Sequence, residues 1–136
     1  MTTGRRWLPA TLLAALAYIV AGTLVFALVR HAPEHVGLIR KGLLLLCFIP
    51  FALHLAWEHN TLGNPSVPAA AHAALAAAIG AFFFALSAVI NVHLTGSGYL
   101  HALLFSLVIW PLATFVPAFL LALAIYAAVR MARRTH

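Results

Sequence analysis

Four apolar stretches divide the chain, separated by short runs of polar, glycine and proline residues. The first follows Arg5-Arg6 and continues without a charged residue from Trp7 to Val29. A helix that crosses a hydrocarbon core of about 30 Å needs about 20 mostly apolar residues, so 7–29 is long enough. It is also longer than the apolar region of a cleaved leader. The A-x-A triplet Ala15-Leu16-Ala17 is followed by more apolar sequence, which predicts an uncleaved helix.

The second stretch, Gly42 to Trp57, would reach only about 24 Å at 1.5 Å per residue. It must recruit residues upstream. Pro33 suits a first helical turn, where its missing N–H leaves no bond unmade, so the predicted helix is 33–57. Arg40 and Lys41 then lie one or two turns inside and extend their charged ends outward. Pro50, lacking an N–H for the helix ladder, is expected to kink it.

After Trp57 the run "EHNTLGNPSVP" collects turn-forming residues without a Lys or Arg, predicting a loop. The third helix is predicted over 69–94. On it His72, Ala76, Gly80, Ser87 and Asn91 recur by fours and sevens, which places them on one stripe. Small residues admit close helix approach, and Ser and Asn can hydrogen-bond across an interface, so this stripe is expected to face protein. "TGSG" at 95–98 predicts a tight turn, and the fourth helix is predicted over 99–129, bent by Pro111 and Pro117.

These elements predict an all-α integral membrane protein, with 1–136 as a single polytopic domain of four transmembrane helices in an antiparallel bundle. Composition sharpens this expectation. Hydrophobic residues make up 65% of the 136 and charged residues 7%, against roughly a quarter charged in soluble domains. The mean hydropathy is +1.04. The four helices leave no room for a soluble domain.

Charge changes the picture less than its sign suggests. Eight Lys and Arg against two acids give +6. All eight basics, Arg5, Arg6, Arg30, Arg40, Lys41, Arg130, Arg133 and Arg134, flank apolar stretches. They read as anchors at lipid headgroups and not as a nucleic-acid surface. Arg130, Arg133 and Arg134 at one end of the fourth helix, with no base before it, place the C-terminus in the cytoplasm. Four crossings then put the N-terminus inside as well, although Arg30, Arg40 and Lys41 in the first loop outnumber Arg5 and Arg6. The expected location is a bacterial inner membrane, multi-pass. Cys47 is the sole cysteine, which excludes an intrachain disulfide, a CxxC pair and a four-thiolate metal site.

That topology sorts the titratable residues into two layers. The inner end gathers His54, Glu58, His59 and His72. His54 and Glu58 are four apart on one helix face, and His72 begins the facing helix at similar depth. Ionisable residues in a membrane segment are functional candidates by default, against the bland reading of interfacial histidines. The outer end gathers His31, Glu34, His35, His93 and His101. Here His93, His101 and His35 form a candidate site for a divalent metal such as Zn²⁺ or Cu²⁺, which accept nitrogen ligands.

Paired histidines also raise haem ligation, by His54 with His72 or His93 with His101. Spacing opposes a standard two-haem stack, since His72 and His93 lie about 31 Å apart along one helix. "HAPEH" at 31–35 has the H-x-x-E-H form of inverzincin peptidases, but Pro33 interrupts it in a short connection. No G-x-S-x-G, P-loop or GxGxxG is present, and two acids leave little for acid–base catalysis. The expectation is a transport-type or accessory subunit, non-enzymatic, acting in a homo-oligomer or with other membrane subunits in the lipid bilayer. The competing expectation is a b-type haem or metal-binding electron-transfer anchor.

Overall fold

The computed structural model describes residues 7–96 and 99–134. Four helices account for nearly all of them: α1 (Trp7–His31), α2 (Val36–Asn60), α3 (Ser66–Thr95) and α4 (Leu100–Arg134), with a 3-10 turn at Pro33–His35 leading into α2. No strand occurs among the described residues. Each helix is long and apolar enough to cross a membrane. Arg5, Arg6, the Ser97-Gly98 half of the predicted turn and the side chain of Arg40 lie outside the described residues.

The predicted loop after Trp57 shrinks from both sides. Backbone bonds from the N–H groups of Thr61 and Leu62 to the Trp57 carbonyl close the end of α2 at Asn60. Gly63, at φ +62°, then supplies a left-handed residue that a side chain would disfavour. α3 begins at Ser66 because Pro68, in its first turn, has no N–H that needs an acceptor. The prolines within α2 and α4 do not break either helix: Pro50, Pro111 and Pro117 lie inside continuous helical segments.

α3 is the hub, packing most extensively on α4 and then on α1. Its alanines make this contact: Ala69, Ala70, Ala73, Ala74 and Ala76 are almost completely buried. Trp7 stacks on His72, the Gly80 backbone meets Tyr18, and Gly22 meets Phe84, so α1 and α3 rise in the same direction. Phe51 and Leu55 of α2 pack with Ala70 and Ala73 of α3 and Ala122 of α4 in one core cluster. Leu13, Leu45, Phe105 and Val108 remain largely exposed. Such an exterior, apolar around an alanine-rich interior, is the reverse of a soluble domain.

The helix-three stripe divides along its length. Ala76 and Gly80 are buried, whereas Ser87 and Asn91 are exposed. The Ser87 hydroxyl donates to the Phe84 carbonyl of its own helix at 2.7 Å, not across an interface. Beyond the Gly80 contact a cleft of about 350 Å³ opens, and Ser87 stands on its wall with Phe83, Phe84 and Ile90. These larger side chains replace the small residues of the Gly80 contact, and Gly22 of α1 meets Phe84 beside the cleft.

Candidate functional site

One acidic residue is enclosed by the bundle. Glu58, in the last turn of α2, is 0% exposed. Removing a carboxylate from water costs several kcal/mol unless donors replace the lost hydration, and here four elements supply the surroundings. His54, one turn earlier on α2, places Nε2 at 3.4 Å from Oε1. His72, in the second turn of α3, places Nδ1 at 3.0 Å from the same oxygen. The Asn64 side-chain amide donates to Oε2, and the Asn64 backbone N–H donates to the Glu58 carbonyl at 3.2 Å. The loop thereby folds back over the end of its own helix.

The fourth element is α1. The Trp7 indole lies flat on the His72 imidazole, with centroids 4.3 Å apart and planes 5° from parallel. This fixes the ring orientation that aims Nδ1 at Glu58. Thr11, almost wholly buried, anchors the same turn by donating its hydroxyl to the Trp7 carbonyl at 3.0 Å.

Three of the four inner candidates thus meet, His54, Glu58 and His72, and His59 does not. One residue beyond Glu58 is about 100° further round the helix. His59 therefore turns toward α4, where its ring lies 5.8 Å from Tyr126. Tyr126 in turn donates its hydroxyl to the Leu55 carbonyl at 3.1 Å, tying α4 to the turn of α2 that carries His54 and Glu58. Tyr126→Phe should lower stability by about 1 kcal/mol, the net worth of one such bond, read as a lower thermal midpoint in detergent; an unchanged midpoint would show that the bond is replaced by solvent.

Trp7 and Asn64 belong to the site and were not singled out by sequence patterning. Asn64 had a signal: a lone carboxylate in an apolar chain needs donors, and the amides nearest in sequence are Asn60 and Asn64. Trp7 had none beyond its place at a helix start, since its partner lies on a helix far along the chain.

The outer residues are not drawn together in this way. His35, His93 and His101 are all exposed. His35 Nδ1 stands 3.1 Å from Glu34 Oε1, its chain neighbour. Among the described residues no group of three or more His, Cys, Asp or Glu is placed to hold a metal ion, so the candidate set His93, His101 and His35 is not a preformed coordination sphere. His35 sits at the entry to α2, whereas His93 and His101 border the turn between α3 and α4, and each is exposed on its own connection. At the inner end, the two imidazoles that haem ligation would require direct their facing nitrogens at one carboxylate oxygen.

The inner arrangement suits proton exchange. With Glu58 ionised, His54 Nε2–H and His72 Nδ1–H both donate to Oε1; with Glu58 protonated, its O–H can donate to either ring nitrogen. The two forms differ by proton positions and need no movement of the heavy atoms. His54 Nδ1 is buried without a hydrogen-bond partner, so the far side of that ring is unsatisfied. The His72 side chain is 19% exposed and is the member of the three with access from outside.

A separate apolar cavity of about 410 Å³ lies among the helices, lined by Tyr18, Cys47, Phe51, Gly80, Trp110 and Thr114, among others. All four helices contribute to its wall. No protein family matches the chain, and no characterised protein or solved structure does either. The fold defines its class only to this extent: an all-helical chain with four helices apolar enough to span a membrane.

Proposed function

We propose that the chain is an integral membrane protein, an antiparallel four-helix bundle with both termini inside, acting as a transport-type or accessory subunit in a homo-oligomer or larger membrane complex. In this reading Glu58, His54 and His72 form its proton-exchanging centre. The observation that carries the reading is the complete burial of Glu58 between two imidazoles. An apolar bundle has cheaper ways to pack a helix end than a carboxylate, and ionisable residues kept in membrane segments mark ion and proton pathways. The cavity supports the subunit reading: α2 packs chiefly on α1, leaving the side toward α4 less closed, where a neighbouring subunit or lipid would complete the wall.

Infrared difference spectra across a pH step test the centre directly, because Glu34 and Glu58 are the only acidic side chains. A carboxyl band should appear that Glu58→Gln removes and Glu34→Gln leaves in place. A spectrum indifferent to Glu58→Gln would end the proton-exchange reading. Cross-linking in native membranes should trap a specific oligomer or partner, and a chain that remains monomeric would overturn the subunit reading.

A further inference from the structure

A third cavity, about 740 Å³, lies at the Glu58 end of the fold, between the loop after α2 and the last turns of α4. Along α4 its wall includes Val129 and Met131 and, on one helix face, Leu123, Tyr126 and Ala127, Arg130, then Arg133 and Arg134. These recur every three or four residues, so the face passes from apolar to basic over about 16 Å. The opposite wall is His59, Asn64, Pro65 and Ser66. Ser66 opens α3, whose first turn contains no acid and no side-chain cap. The Ser66 and Val67 N–H groups stand at a helix start, where the ladder offers no acceptor and the helix dipole is positive.

Among the described residues no acidic side chain lines this cleft. Glu34 lies before α2, paired with His35, and the oxygens of Glu58 are taken by His54, His72 and Asn64. We propose that the cleft seats the phosphate headgroup of an anionic phospholipid. The guanidinium groups of Arg130, Arg133 and Arg134 and the Ser66 end of α3 surround the phosphate, and the Leu123–Ala127 face lies along the first acyl carbons. Charge complementarity selects a phosphate. The change to an apolar face within the same cleft selects a lipid over a free anion, and basic pockets between membrane helices at the cytoplasmic side are suited to such headgroups. The proposal rests on the membrane reading above and is independent of proton exchange at Glu58.

The test uses the full chain in phosphatidylcholine bilayers containing a minor fraction of phosphatidylglycerol, with retained lipid identified by native mass spectrometry. Wild type should retain phosphatidylglycerol selectively. Arg130→Gln/Arg133→Gln/Arg134→Gln should lose that preference by about tenfold or more, since each removed charge weakens attraction to an anionic surface. Ser66→Asp should lose it too while leaving helix content unchanged, because an acid suits the first turn of α3 yet repels phosphate. Lys41→Gln, which removes a charge remote from the cleft, should leave it intact. Equal retention by wild type and the triple variant, an equal loss in Lys41→Gln, or displacement of the lipid by inorganic phosphate would each overturn the proposal. Alkali-resistant insertion of every variant, measured alongside, separates that failure from failure of the membrane reading itself.

Discussion

Glu58→Ala lowers stability by about 3 to 5 kcal/mol, the loss typical of removing one partner from a buried charged network. The cost has two sources. His54 and His72 lose the acceptor that both address at Oε1, and Asn64 loses the carboxylate that holds the loop against α2. His54 is then left without a partner where water reaches poorly, at about 1 to 3 kcal/mol, while the partly exposed His72 and Asn64 lose less. Glu58→Gln should cost less, because the amide retains an oxygen for one or two of these donors and loses only the charge. The measurement is the thermal midpoint in detergent together with proteolysis of the 61–65 loop, which should become faster in Glu58→Ala. A second variant guards the inference: replacing Glu58, His54 and His72 together by leucine removes both imidazoles and their acceptor and leaves only the partly exposed Asn64 amide to turn to solvent. It should therefore cost less than Glu58→Ala, as apolar replacement of buried ionic groups is often near neutral. If Glu58→Ala were as stable as wild type, the network would be solvated and the proposed centre would lose its physical basis.

The four helices were legible because length and apolar character mark each of them. Helices that expose Leu13, Leu45 and Phe105 to their surroundings need apolar residues on every face, so length and hydropathy alone mark the four segments. Boundaries were less legible. The end of α2 depends on Gly63 adopting a positive φ and on the Asn64 N–H reaching the Glu58 carbonyl, contacts that a turn-residue count does not contain. Pro50, Pro111 and Pro117, where bends are expected, lie inside continuous helical segments; neighbouring groups can absorb a missing N–H in a packed bundle.

The site divides along the same line. The four-residue step from His54 to Glu58 sets a shared face through helix geometry, and His72 at the start of the next helix follows from chain reversal. What sequence cannot carry is contact between elements distant along the chain. Trp7 meets His72 only because α1 and α3 lie side by side, and His59 leaves the cluster because Tyr126 of α4 stands beside it. The outer histidines show the converse. His93 and His101 are close in sequence and border one turn, yet proximity in sequence did not assemble three ligands, since none of those side chains is buried and no packing force gathers them.

Gly80 is where packing, not chemistry, sets the tolerance of the fold. A Cβ built on Gly80 would fall 2.6 Å from the Cβ of Tyr18 and 3.4 Å from its Cγ. The first of these atoms is rigidly attached to the α1 backbone and cannot be turned aside by a rotamer change, so any side chain must push the helices apart. Gly80→Ala should therefore destabilise the protein, and Gly80→Leu more so, by about 1 to 3 kcal/mol as expected for overpacking. That separation would also disturb Trp7 on His72, because the same two helices hold the stack. Gly42→Ala is the control: nothing lies within 4 Å of its built Cβ, and exchange of a helical glycine for alanine should be neutral or stabilising by up to about 1 kcal/mol. A further variant isolates the cause. Tyr18→Ala keeps the offending Cβ, so Gly80→Ala/Tyr18→Ala should gain no relief from the clash, whereas Gly80→Ala/Tyr18→Gly should recover part of the lost midpoint relative to Tyr18→Gly alone. Equal midpoints for Gly80→Leu and wild type would mean that α1 does not approach α3 at this position.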